Sequence, residues 1–221
     1  MRSTKIDVKR IAVIGVLCAL AYLCTFLLHF KVMFLTFDFK DAIIAVSGLM
    51  YGPLAGLFSA FIVALTEFVT FSNTGVYGLI MNFLSSAAFS VVGGFIYKYR
   101  RTFSGAIFSG IASVFSVVAV MMLANLFITP LFLHRPREAI IDLMPTVLLP
   151  FNLIKSVINA SLTLLIYKPV TKAFGRLGLT ERKQQKAGSG LRTVILTLCC
   201  LVVAAVSVLI FIFVLNGSVE F

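Results

Sequence analysis

A lysine and an amide stand together where an apolar chain tolerates them least. Lys155 and Asn152 follow Pro150 in Pro-Phe-Asn-Leu-Ile-Lys, at the head of an apolar run long enough to cross a bilayer. A charge at the centre of such a helix costs at least roughly 2.5–3.5 kcal/mol. It must therefore face a cavity, a partner helix or a ligand. The i, i+3 spacing puts both side chains on one helical face, and Asn159, four residues further on, extends the stripe. Glu67 is the acidic residue that falls well inside another apolar run, at a depth similar to Lys155. Either the two charges pair directly, which requires good hydrogen bonding of both, or both line a ligand cavity. The cavity reading draws in the polar residues expected at the same level: Thr66 and Thr70, then Asn82, Ser85 and Ser86, then Asn125 and Thr129. Serine and threonine stripes by themselves read as contacts between packed helices.

A loop before the second apolar run carries Phe34, Phe37 and Phe39 among Asp38, Lys40 and Asp41. Its aromatics suit an interfacial anchor. They also suit a lid whose rings stack on a planar ligand, with Asp38 or Asp41 as hydrogen-bond acceptors. Enzyme chemistry has no foothold. Gly48, Gly52 and Gly56 precede no Lys-Ser/Thr pair, so no phosphate loop is formed. His29 and His134 are far apart in sequence, and Cys18, Cys24, Cys199 and Cys200 have no metal-ligand spacing to them. The chain is read as no enzyme, with no cofactor of its own. Any active transport must draw its energy from an ion gradient or a partner.

The elements that position these residues are membrane helices. Hydrophobic residues make up 60% of the 221 and charged residues 12%, about half the usual charged share of a soluble domain. Apolar runs recur at about 20 residues, the helical crossing length, and not at the shorter alternating period of a membrane barrel. Seven spans are expected: 11–28, 42–51, 54–71, 76–97, 103–128, 150–167 and 194–215. Gly52-Pro53, Ser72–Gly75 and Thr129-Pro130 serve as breaks, and a short surface helix is expected after His134. The division is 1–168 for a membrane domain, 169–192 for a basic linker and 193–221 for a further helix and tail. Lys and Arg set the orientation. Arg2, Lys5, Lys9, Arg10, Lys98, Arg100, Arg101 and the basic linker fall on one side, against Lys31, Lys40, Arg135 and Arg137 on the other. The N-terminus is thus expected in the cytoplasm and the C-terminus outside. This distribution accounts for the net charge of +11 without nucleic acid.

The motifs Leu35-Thr36-Phe37-Asp38-Phe39-Lys40-Asp41, Tyr51-Gly52-Pro53-Leu54-Ala55-Gly56, Asn82-Phe83-Leu84-Ser85-Ser86 and Leu149-Pro150-Phe151-Asn152-Leu153-Ile154-Lys155 occur in the order seen in one family. They resemble the substrate-binding S components of energy-coupling-factor (ECF) vitamin transporters, and most of all the riboflavin-specific ones. The stretch from Met121 to Leu133, with Asn125 and Pro130, adds to the likeness. The resemblance implies an all-α integral membrane protein with a six-helix core, here followed by a seventh helix. It implies riboflavin capture at a prokaryotic plasma membrane. It also implies a transmembrane coupling protein and two ATPase subunits as partners. Small residues on the first helix meet the coupling protein in that family, which carries over to Gly15 and Ala19. Asn82, Asn152, Lys155, Asp38 and Asp41 match its pocket positions. Asn82, Asn152 and Lys155 would donate hydrogen bonds to a flavin, and Phe37 and Phe39 would pack on its ring. An S component for another small vitamin, or a non-transporting assembly subunit, are the alternatives.

Overall fold

A computed structural model describes residues 8–32 and 34–177, together with residues 179, 198, 202, 205 and 219–220. The order is α1 (Val8–Leu27), β1 (Phe30–Val32), β2 (Leu35–Phe37), α2 (Lys40–Tyr51), α3 (Pro53–Thr70), α4 (Gly75–Tyr99), α5 (Phe103–Leu133), α6 (Arg137–Leu143), a π-helical turn (Met144–Leu148), α7 (Leu149–Arg176) and β3 (Val219–Glu220). β1 pairs antiparallel with β2 and with β3. Among the described residues, five helical stretches are long and apolar enough to cross a membrane: α1, α3, α4, α5 and the run from α6 through α7. Leu20, Phe58, Phe115 and Leu123 are exposed on their outer faces, where lipid replaces water. The surface helix expected after His134 is α6. The expected span 194–215 lies outside the described residues apart from 198, 202 and 205.

α2 has 12 residues, which at 1.5 Å per residue reaches about 18 Å, short of the roughly 30 Å hydrocarbon layer. It is the inner helix of the bundle, packed against α1, α3, α4 and α7. Its burial explains its composition, since Ala42, Ala45, Ser47 and Gly48 leave room for four neighbours. Gly52, at φ 97°, makes the turn into α3, where Pro53 occupies the first helical position. That turn is where the sequence puts it.

Two expected helix ends are corrected. α5 runs through Thr129-Pro130 to Leu133, and α7 runs through Pro169 to Arg176, so the first residues of the expected linker are helical. A proline removes one donor and crowds the carbonyl four residues back. In an apolar surrounding, leaving the helix would strand more backbone groups than continuing it. α5 ends instead at His134, whose φ of 50° is left-handed, with the Arg135 N–H donating to the Pro130 carbonyl at 3.2 Å.

Small residues let α2, α3 and α4 approach closely. A methyl on Gly48 would lie 2.7 Å from the Ser90 carbonyl oxygen, and one on Gly94 would lie 2.8 Å from the Gly48 carbonyl oxygen. Both obstacles are backbone, so a helix must move. Gly48→Ala and Gly94→Ala are each expected to destabilise by about 1–3 kcal/mol, read as a lower thermal midpoint in detergent. Unchanged midpoints would show that the helices part at no cost. Hydroxyls tie α2 to α3 and α5 to α4. Ser47 meets Ser59 at 2.8 Å, Ser109 donates to Gly93 O at 2.8 Å, and Ser113 donates to Phe89 O at 2.7 Å. This is the glue role that small hydroxyls take in lipid.

Candidate ligand-binding site

The apolar run of α7 begins at an irregular turn. Pro150 lacks an N–H, and the π-helical turn before it loosens the ladder. One turn on, Asn152 and Lys155 point inward, 3% and 7% exposed. The Asn152 Nδ2 donates to the Leu148 carbonyl at 2.8 Å. The Lys155 Nζ donates to Asp38 Oδ2 at 2.8 Å and to the Thr36 carbonyl at 3.2 Å. Asn159 completes the stripe. Its Nδ2 donates to Asp38 O at 3.1 Å, and its Oδ1 accepts from the Ala42 N–H at 2.9 Å. Those bonds lock the β2–α2 junction against α7.

The junction is a buried charge network. The Lys40 Nζ lies 2.5 Å from Glu67 Oε2 and 3.7 Å from Asp38 Oδ2, with all three residues almost fully buried. Asn82 Nδ2 donates to the same Glu67 oxygen at 3.1 Å. Asp41 accepts from Ser86 at 2.5 Å and from Ser85 at 3.4 Å, and it sits in the first turn of α2, where the helix end favours an anion. Burial pushes the Asp38 carboxyl up, but Lys155 and Lys40 outweigh it and hold it below its ordinary value. The direct Glu67–Lys155 pair considered from sequence is not formed. Glu67 pairs with Lys40, and Lys155 pairs with Asp38.

In front of this network lies a cleft with about 700 Å³ of empty space, its open mouth included. Lys155, Asn152, Asn125 and Asn82 line it, as do Ser85 and Thr129. Asn125 donates from Nδ2 to Met121 O at 2.7 Å and accepts from the Thr129 hydroxyl at 2.7 Å. The rest of the lining is mostly apolar: Phe34, Leu35, Tyr77, Met81, Met121, Ile128, Phe132 and Phe151. Tyr77 and Phe132 are neighbours at 6.1 Å between ring centroids.

Other residues singled out in the sequence stand behind the cleft. Asp38, Asp41 and Glu67 do not line it; they hold Lys155, two serines and Asn82 in place. Phe37, 3% exposed, packs edge-on against Phe151 and Phe39 and supports the wall from the rear. The loop expected as an anchor or a lid is fastened to α3 through Lys40 and to α7 through Asp38. Gly15 and Ala19 do not line the cleft and are exposed on α1. Sequence reasoning missed Lys40, Tyr77, Met81, Met121 and Phe132. Lys40 alone carried a signal, since the loop charges needed counter-charges and Glu67 was available.

Comparison with known proteins agrees with the geometry. The family model described as "ECF transporter, substrate-specific component" matches residues 9–167. The riboflavin transporter RibU of Staphylococcus aureus (strain TCH60) is 27% identical over 178 residues, covering 76% of this chain and 94% of that protein. The riboflavin transporter FmnP of Bacillus subtilis (strain 168) is 28% identical over 173 residues, covering 72% and 90%. The solved structure of the S component of a bacterial ECF transporter superposes with a TM-score of 0.60 at 27% identity, covering 75% of this chain and 97% of that one. The all-α membrane fold, the transport role and the absence of an enzymatic one follow from this match. The chain belongs to the family of substrate-specific components of ECF transporters, multi-pass membrane proteins of prokaryotes.

Proposed function

We propose that this cleft captures riboflavin for uptake. The observation that carries the reading is the mixed lining of the cleft, in which apolar Tyr77, Met81, Met121 and Phe132 stand with polar Asn82, Asn125, Asn152 and Lys155. A flavin has the matching shape: a planar ring system apolar at one edge, polar at the pyrimidine edge, with a hydroxylated side chain. Lys155 donates to ring carbonyls, Asn82 and Asn152 bind the polar edge, and Asn125 with Thr129 meets the side chain. Asp38, Asp41 and Glu67 position these groups, and Phe37 with Phe39 backs the aromatic wall. The two transporters reported above are named for riboflavin, which supports the same ligand. Expression in flavin-producing cells tests it: the protein should purify yellow, with quenched flavin fluorescence. A colourless protein that takes up a different vitamin would replace riboflavin as the ligand.

Energy comes from partners, a transmembrane coupling protein and two ATPase subunits. The basic end of the bundle, with Arg10, Lys98, Arg100 and Arg101, faces the cytoplasm, and the cleft opens outside. The coupling protein docks on α1 at Gly15 and Ala19. A side chain on Gly15 would meet nothing within 4 Å, so that face is open to a partner helix. Close approach of helices in lipid needs small residues. Gly15→Leu with Ala19→Leu should abolish uptake in cells while leaving flavin binding by the purified subunit intact. Uptake at the wild-type rate would remove this face as the coupling surface.

A further inference from the structure

Glu67 is buried, yet it does not touch the cleft. One of its oxygens, Oε2, accepts both Lys40 Nζ at 2.5 Å and Asn82 Nδ2 at 3.1 Å. Its other oxygen has no hydrogen-bond partner among the described residues. The Lys40 ammonium can only donate, so the oxygen it reaches is an acceptor, and the same oxygen accepts from Asn82. Asn82 must therefore turn its NH₂ toward Glu67. Its carbonyl oxygen, which has no protein partner among the described residues, is then the acceptor left for the cleft that Asn82 lines. The orientation follows from that shared acceptor, whichever way a free amide would settle.

We propose that Glu67 sets ligand specificity from behind the cleft. By holding Asn82 by its nitrogen, it offers Asn82 Oδ1 to the ligand and selects for a donor there. Resting on the riboflavin reading, the donor selected is the imide N–H of the flavin ring. The side-chain hydroxyls can donate or accept, so they would not distinguish the two faces of an amide; the imide N–H only donates. Glu67 is a positioning residue in this scheme, and Asn82 makes the contact. The role is opposite to the donor role that the sequence suggests for Asn82.

The test compares riboflavin with 3-methylriboflavin, which lacks the imide N–H, by titration of purified protein. Wild-type protein should favour riboflavin by roughly 10–100-fold, the range for one lost bond and an unpaired buried partner. Glu67→Met removes the acceptor and frees the Asn82 amide to rotate, so the preference should fall to a few-fold. Glu67→Gln can keep its carbonyl oxygen at the same point and should retain the preference. Charge balance favours folding of both variants, because Lys40 and Lys155 then face two carboxylates, Asp38 and Asp41. If Glu67→Met does not fold, Asn82→Leu serves in its place and should also lose the preference. A purely structural role for Glu67 would weaken both ligands together and leave their ratio unchanged. An unchanged ratio in folded Glu67→Met or Asn82→Leu, or equal binding of both ligands by wild-type protein, overturns the inference alone. Failure of wild-type protein to bind either flavin overturns the riboflavin reading and this inference with it.

Discussion

Lys155→Met should weaken ligand binding by roughly 10–150-fold, the range for one hydrogen bond to a charged group. Lys155 is the cleft-lining residue whose ammonium is also committed to the protein, through Asp38 at 2.8 Å and Thr36 O at 3.2 Å. Its loss therefore has a second effect. Asp38 then keeps the longer contact to the Lys40 ammonium at 3.7 Å. Breaking a buried pair costs about 3–5 kcal/mol when the partner charge is stranded, and the remaining lysine should hold the loss at the lower end. The double variant Lys155→Met, Asp38→Asn separates the effects. It removes the stranded charge, so the thermal midpoint should recover while flavin affinity stays low. Recovery of both would mean that Lys155 only neutralises Asp38.

The second large effect is at Lys40. It is 1% exposed and does not line the cleft, yet it is the cation on which Glu67 depends. Lys40→Met leaves three buried carboxylates, Asp38, Asp41 and Glu67, with Lys155 as the single ammonium of the network. The expected loss of stability is about 3–5 kcal/mol, seen as a large fall in the thermal midpoint or as failure to accumulate in the membrane. Adding Glu67→Gln removes one stranded charge and should restore much of the loss. A Lys40→Met protein as stable as wild type would mean that the network carries no stability.

The sequence exposed the site where polar residues broke an apolar pattern. Lys155, Asn152, Asn125 and Asn82 are conspicuous because lipid-facing helices have no use for them, and all four line the cleft. Tyr77, Met81, Met121 and Phe132 were not legible, because an apolar side chain facing a ligand looks the same as one facing lipid. Lys40 read as a loop charge. Its burial depends on Glu67, 27 residues away, and only the packed bundle brings the two together. For the same reason the choice between a Glu67–Lys155 pair and a cavity lined by both stayed open, and the two separate pairs that form, Glu67 with Lys40 and Lys155 with Asp38, were not foreseen. Pro130 misled because proline is a reliable terminator in water and a weaker one in lipid, and the basic residues from Lys168 on read as a linker although α7 continues to Arg176. The six-helix core, the Gly52-Pro53 turn and the short helix α6 were each visible in breaks that the membrane does not override.

The most direct test of the central claim is a riboflavin titration of the purified, ligand-free protein, following the quenching of flavin fluorescence. One flavin should bind per chain and quench to saturation, Asn152→Ala and Lys155→Met should each weaken it, and unrelated vitamins in excess should not displace it. Saturable binding of a different vitamin with no flavin quenching, or full flavin affinity in both single variants, would contradict the account.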